Sequence, residues 1–247
     1  MKRMGQESRS RVYEQIASTD LAGYGIRPGG LELTERALSC CDFPSNARII
    51  DVGCGTGVTL AQLTRVHYFC GIGIDPSPVL LDQGRRKGSD LMLVRGTGED
   101  LPFPDECADA VFAECSLSVM AYRNRVLDEF GRVLKVGGRL VLTDVYARNG
   151  DAVNQLMTIP LHCCVRGAVS EAEVVKEVTD RNFIIELWED HSERLKNFAV
   201  QLIFSYGSMN QFWVRAGAEP VDTGNIQRAI SSAKPGYFLL IAKKKPR

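Results

Sequence analysis

Asp51-Val52-Gly53-Cys54-Gly55-Thr56-Gly57 is the stretch that decides the fold. It lies between Arg48-Ile49-Ile50-Asp51-Val52, a short apolar run that reads as a buried strand, and a segment from Val58 to Arg65 that reads as a helix. Glycine tolerates positive φ and lets the backbone approach a ligand closely. A strand, glycine turn and helix in this order form the place where open α/β folds bind nucleotides, at the C-terminal edge of the sheet. The spacing is G-x-G-x-G, one residue tighter than the G-x-G-x-x-G of dinucleotide binders, which argues against a nicotinamide cofactor. Asp51 is an acid at the end of the strand before the turn. Asp75 closes the next β-like run, Tyr68 to Asp75. Its carboxylate offers the paired acceptors that two vicinal ribose hydroxyls require.

Outward from this turn the chain alternates short β-like runs with longer helix-like ones, the signature of a parallel sheet with crossover helices. Upstream, the first 45 residues read as helical, broken at Arg27-Pro28-Gly29-Gly30 and resuming with the stripe Leu31, Leu33, Ala37, Leu38. The paired glycines leave amide groups suited to a carboxylate. Downstream, Ser77-Pro78 opens a helix with a cap and a proline at the first position. Leu91–Val94 and Ala108–Ala113 read as strands, Arg125–Val136 as an amphipathic helix stopped by Gly137-Gly138, and Arg139–Asp144 as a fifth strand. Past residue 150 the pattern loosens into a polar, cysteine-bearing segment, Asn149–Ala168. A helix after Ser170, a strand Phe183–Trp188, a helix Glu193–Ser205 and a last strand Tyr237–Ala242 follow.

The chain has 247 residues, 45% hydrophobic and 24% charged, the ordinary balance of a globular protein. Thirty basic residues match thirty acidic ones. No global field favours nucleic acid or a membrane surface, and the terminal Lys243-Lys244-Lys245-Pro246-Arg247 reads as a solvated end. No apolar run is long enough to span a bilayer, and the polar N-terminus lacks the apolar stretch of a secretory signal. The eight cysteines include no C-x-x-C and no metal-ligand spacing. They read as reduced thiols of a cytoplasmic protein, each most simply a small buried hydrophobe.

The run Ile49–Gly57 resembles, almost letter for letter, the first motif of the class I S-adenosylmethionine-dependent methyltransferases. Gly73-Ile74-Asp75-Pro76-Ser77 resembles their second. Gly96-Thr97-Gly98-Glu99-Asp100-Leu101-Pro102-Phe103, then Asp109-Ala110-Val111, resemble the third and fourth, and Arg132–Leu140 resembles the approach to the fifth strand. The resemblance implies a doubly wound, seven-stranded, mostly parallel sheet with a helical cap and an antiparallel final strand. It implies one domain, with cap helices over 1–45, a cofactor core over 46–146, and an acceptor-side insertion with the last strands over 147–247. S-adenosylmethionine is the implied cofactor, held by Asp51, Gly53, Cys54, Gly55, Gly57, Asp75, Pro76, Thr97, Gly98, Glu99 and Glu114. The adenine-contacting position, usually acidic in the family, is Thr97 here. The implied acceptor is a small molecule, and the oligomeric state stays open.

Methyl transfer from a sulfonium is a direct displacement that asks for alignment and desolvation more than for a catalytic side chain. His162, Cys115, Cys163 and Cys164 are the candidates to touch the acceptor. A narrower resemblance, to the arsenite methyltransferases, rests on Leu142–Ala147 and His162–Ala168. It makes Cys40-Cys41 with Cys163-Cys164 a candidate soft-ion site. A protein that binds the cofactor without catalysis is the remaining reading, because fold alone does not give function.

Overall fold

The computed structural model describes residues 11–17, 27–88 and 90–246. In chain order the regular elements are α1 (Arg11–Ala17), α2 (Gly30–Ser39), β1 (Arg48–Val52), α3 (Val58–Arg65), β2 (Cys70–Asp75), α4 (Pro78–Lys87), β3 (Leu93–Arg95), β4 (Ala108–Glu114), α5 (Arg123–Val133) and β5 (Leu134–Ala147). They continue with α6 (Val153–Leu156), α7 (Glu171–Thr179), β6 (Phe183–Asp190), α8 (Ser192–Tyr206), α9 (Met209–Arg215), α10 (Thr223–Ala233) and β7 (Pro235–Lys244). The strands form one seven-stranded sheet in the order β3-β2-β1-β4-β5-β7-β6. Neighbours from β3 to β5 pair parallel, while β7 runs antiparallel to both β5 and β6.

Period-two burial explains the layering. Ile50 and Val52 of β1, Val111 and Ala113 of β4, and Phe238 and Leu240 of β7 point to one face, where they pack with Val126 and Phe130 of α5 and Val174 and Val178 of α7. The intervening residues Ile49, Phe112, Leu239 and Ile241 meet Ala37 and Leu38 of α2 and Leu63 of α3 on the other. Both faces are covered, so the central strands read as continuous apolar runs. Each large side chain fully withdrawn from water contributes about 1.5–3 kcal/mol. A third cluster forms the cap, joining Val12 and Ile16 of α1 to Leu156, Leu161, Cys163, Leu202, Trp213 and Ile226.

Several boundaries differ from the sequence reading. The helix expected over Arg125–Val136 is α5, and it ends at Val133. Leu134 is fully buried and already pairs with Ala108, the backbone bulges at Gly137 (φ 78°), and pairing resumes between Arg139 and Ala110. β5 is therefore longer than Arg139–Asp144 at both ends. β3 is Leu93–Arg95 rather than Leu91–Val94. The segment Asn149–Ala168, expected to be loose, holds α6 and buries Leu156, Ile159, Leu161 and Cys163 in the cap. Residues 1–10 and 18–26 of the expected cap helices lie outside the described residues. Among the described residues no helix is long and apolar enough to cross a membrane.

Candidate functional site

The glycine turn joins β1 to α3 through three left-handed residues: Gly53 (φ 80°), Gly55 (55°) and Gly57 (77°). L-residues pay a steric cost there that glycine avoids. The three serve different ends. A Cβ on Gly53 would lie 2.4 Å from the Cβ of Ser116, whose hydroxyl donates to the Val52 carbonyl at 2.7 Å. Gly57 caps α3 against Leu91 and Leu93. A Cβ on Gly55 would meet no atom within 4 Å. Asp75, at the end of β2, braces the turn: Gly55 N donates to its Oδ2 at 2.9 Å and Ser77 N to its Oδ1 at 2.8 Å. Burial raises its pKa, and these two amides pull it back. Each oxygen keeps acceptor capacity toward a ligand. Ser77 also caps α4 and donates to Glu14 of α1 at 2.6 Å.

A cavity of about 430 Å³ opens over this turn, along the edge where β1, β2 and β4 end. That is within the range for a drug-sized ligand. Of the residues expected to hold the cofactor, all but Asp51 and Gly57 line it. Asp75 and Pro76 form one wall, Thr97, Gly98 and Glu99 another, and Glu114 stands at the end of β4. The sequence reading missed Tyr13, Thr59, Ser116, Met120 and Arg125, which also line it, and assigned the Arg27 segment to the wrong group. The glycine amides of Gly29 and Gly30 do not face the cavity; the Arg27 side chain does.

Glu114 is a brace. Its Oε1 accepts from Thr34 of α2 at 2.9 Å, and its Oε2 accepts from Thr59 of α3 at 2.7 Å and pairs with Arg27 Nη2 at 2.9 Å. Arg27 also donates to Thr34 at 2.7 Å, and its Nε is buried without a partner. Asp51 lies on the same sheet face, 2% exposed, and its Oδ2 has no partner either. Burial and the Glu114 charge push its pKa up to about 8, against the pull of Arg27 and with a smaller push from Asp75.

The cysteines part company. Cys115, the residue after β4, has a left-handed conformation (φ 55°), lines the cavity, and touches the thiol of Cys164. That contact, together with burial, holds its pKa well above the usual thiol range. Cys163 is buried in the cap, its pKa pushed up to about 12. Tyr13 bridges α1 to this group, its hydroxyl accepting from Cys164 N at 2.9 Å. Cys40 is exposed and Cys41 packs with Ile49 and Leu63 beneath α2, in a different cluster. The two pairs expected to share a soft ion fall in different places: Cys41 against the sheet face with Cys40 on the surface, and Cys163 and Cys164 in the cap. His162 is half-buried and does not line the cavity. Among the described residues no three His, Cys, Asp or Glu side chains group as metal ligands.

The cap also packs tightly against the segment that follows β4. A Cβ on Gly167 would sit 1.8 Å from the Ser118 carbonyl oxygen. Ser118 is itself fixed by Asp144 of β5, which accepts from its amide at 2.8 Å and its hydroxyl at 2.6 Å.

Residues 50–142 match a family described as a methyltransferase domain. A phthiotriol/phenolphthiotriol dimycocerosates methyltransferase of Mycobacterium ulcerans is 30% identical over 56% of this chain and 56% of its own length. The ubiquinone/menaquinone biosynthesis C-methyltransferase UbiE of Pectobacterium atrosepticum is 30% identical over 61% of this chain and 62% of its own. The chain thus spans about half to three-fifths of these relatives. Among solved structures, the [4+2]-cyclase SpnF is 26% identical with a TM-score of 0.68, covering 87% of this chain and 81% of that one. A phosphoethanolamine N-methyltransferase of Haemonchus contortus, solved with S-adenosyl-L-methionine, shares the fold at a TM-score of 0.71 and 16% identity, covering 99% of this chain and 59% of that one.

Proposed function

We propose that the core of this chain belongs to the class I S-adenosylmethionine-dependent methyltransferases and that the protein transfers a methyl group from that cofactor to a small-molecule acceptor by direct displacement. The observation that carries this is Gly55: a left-handed glycine whose missing side chain leaves open space at the cavity, beside a strand-end acid with acceptor capacity to spare. The orphaned Arg27 Nε supports it, since a buried guanidinium donor at the cavity suits a carboxylate. In this reading Asp75 takes the ribose hydroxyls, Gly53 and Gly55 flank the methionine part, and Arg27 takes its carboxylate. Thr97, Gly98 and Glu99 with Met120 take the adenine.

When bound, the cofactor supplies a methyl group on a sulfonium. The chain's own part is to hold reactants in line and exclude water. Cys115 and Tyr13 would flank the acceptor side, and the cap over residues 147–247 would close it. The core over 46–146 serves the cofactor. The balanced charge favours a small acceptor over nucleic acid.

Calorimetry with S-adenosylmethionine, S-adenosylhomocysteine and NAD tests the cofactor; the first two are expected to bind and NAD is not. Absence of binding by either adenosyl compound refutes the reading. Adenosylhomocysteine formation on adding fractionated metabolites then tests turnover. The likeness to SpnF, named a [4+2]-cyclase, favours a second reading, in which the cofactor is held and its methyl group kept. Cofactor binding with no adenosylhomocysteine formed from any fraction supports that one.

A further inference from the structure

Beneath the cavity the chain gathers more acids than it can neutralise; Asp51, unlike Glu114 and Asp75, is buried there without lining the cavity itself. Glu114 is satisfied by Arg27, Thr34 and Thr59, and Asp75 by two backbone amides. Asp51 is left over. It is 2% exposed, with one carboxyl oxygen unpartnered. The charged and titratable groups that act on it are Glu114 from β4, Asp75 from β2, Arg27 from the segment before α2, and the neighbouring Cys54 thiol in the turn. Among the described residues the cation that acts on Asp51 is Arg27, and it is already paired with Glu114. A third buried carboxylate without a counter-charge takes up a proton.

Resting on the cofactor reading above, we propose that Asp51 tells the charged methyl donor from its neutral product: it holds a proton in the free protein and releases it to solvent when a net cation fills the cavity. S-adenosylmethionine carries an ammonium, a sulfonium and a carboxylate, a net charge of plus one. S-adenosylhomocysteine has lost the sulfonium charge and is neutral overall. The donor gives the floor the positive charge that lets the third carboxylate ionise, and the product does not. Methyl transfer itself therefore removes the charge that held Asp51 ionised, and Asp51 regains a proton as the product loosens. Preference for donor over product rises with pH as Asp51 ionises more readily.

The test is calorimetry of both compounds at several pH values, each in two buffers of different ionisation enthalpy. At pH 7 the wild-type protein is expected to release more protons with the donor than with the product. The affinity ratio of donor to product should rise about ten-fold between pH 6 and 9, the scale of one unit charge acting across a partly solvated gap. The ligands' own α-amino groups ordinarily titrate near 8, so Asp51→Asn is the control: the difference attributable to the protein should vanish there. Difference infrared spectroscopy of the wild type gives a readout that needs no variant; a protonated-carboxyl band should disappear on adding the donor and persist with the product. Equal proton release by both compounds, with no loss of that band, overturns the inference while leaving the cofactor reading standing. Failure of both compounds to bind overturns the two together.

Discussion

Gly53 and Gly55 stand two residues apart in one turn, both left-handed, and alanine should fail at them for opposite reasons. At Gly53 the added methyl lies 2.4 Å from the Ser116 Cβ and 2.9 Å from its hydroxyl oxygen. Ser116 has little room to yield, because it is 5% exposed and its hydroxyl is bonded to Val52. A left-handed alanine costs about 1–2 kcal/mol and forced overpacking about 1–3 kcal/mol more. Gly53→Ala should therefore lose roughly 2–5 kcal/mol of stability. At 2–4 °C per kcal/mol for a chain of this size, the melting temperature should fall by about 4–20 °C. At Gly55 the methyl meets nothing, so only the conformational cost of about 1–2 kcal/mol applies. The methyl enters the cavity instead, and adenosylhomocysteine should bind at least about ten-fold more weakly than the stability change alone accounts for. Thermal unfolding and calorimetry on the two variants make the comparison. If Gly55→Ala melts lower than Gly53→Ala, or binds the ligand as well as wild type, the assignment of the two glycines is wrong.

Asp75→Ala should weaken adenosylhomocysteine binding by about 1.5–3 kcal/mol, the value of hydrogen bonds to a charged group; unchanged affinity by calorimetry would remove the ribose assignment. Glu114→Ala leaves the buried Arg27 guanidinium without its partner and should cost about 3–5 kcal/mol in urea unfolding, and a loss under 1 kcal/mol would show that the brace is not needed. Arsenite with added thiol should yield no adenosylhomocysteine, and Cys164→Ser should leave cofactor affinity intact; arsenite-dependent product that disappears in that variant would revive the soft-ion reading. Asp51 has a folded-state pKa raised above its unfolded value, so its contribution to stability is complete below about pH 4 and is lost as pH climbs toward about 8. The stability of Asp51→Asn relative to wild type should thus grow from pH 5 to 8, and a constant difference would contradict the buried, unpaired carboxyl.

Legibility in the sequence followed locality. The strands β1, β2, β4, β5 and β7 announced themselves because burial on both faces makes continuous apolar runs, and the glycine turn could be placed because its residues are contiguous. The end of α5 was misplaced because Lys135 and Val136 continue a helical pattern, whereas Leu134 is claimed by Ala108 across the sheet. α9 and α10 went unread, since α9 is only seven residues long and α10 buries mostly small residues, Thr223, Ala229 and Ala233, beside the single large Ile226. In the site, Asp75 and the turn were found by motif. The Arg27–Glu114 pair joins residues far apart in sequence, and Tyr13 reaches Cys164 across most of the chain. No local spacing signals either one. A basic residue just before the Pro-Gly-Gly break was the available hint.

The last strand of the sequence is an interior strand of the sheet. β7 sits between β5 and β6 and holds Tyr237, Leu239, Leu240 and Ala242 entirely away from water. During synthesis, β5 is finished long before its partner exists. At roughly 5–20 residues per second, on the order of 4–18 seconds pass between the translation of Ala147 and that of Pro235. Throughout that interval the nascent chain presents a long, apolar, unpaired strand edge, the kind that invites pairing with a neighbour. The growing polypeptide is most vulnerable to aggregation in that window, and a ribosome stalled within α8, α9 or α10 leaves a chain that has every cofactor motif and no closed sheet to hold them.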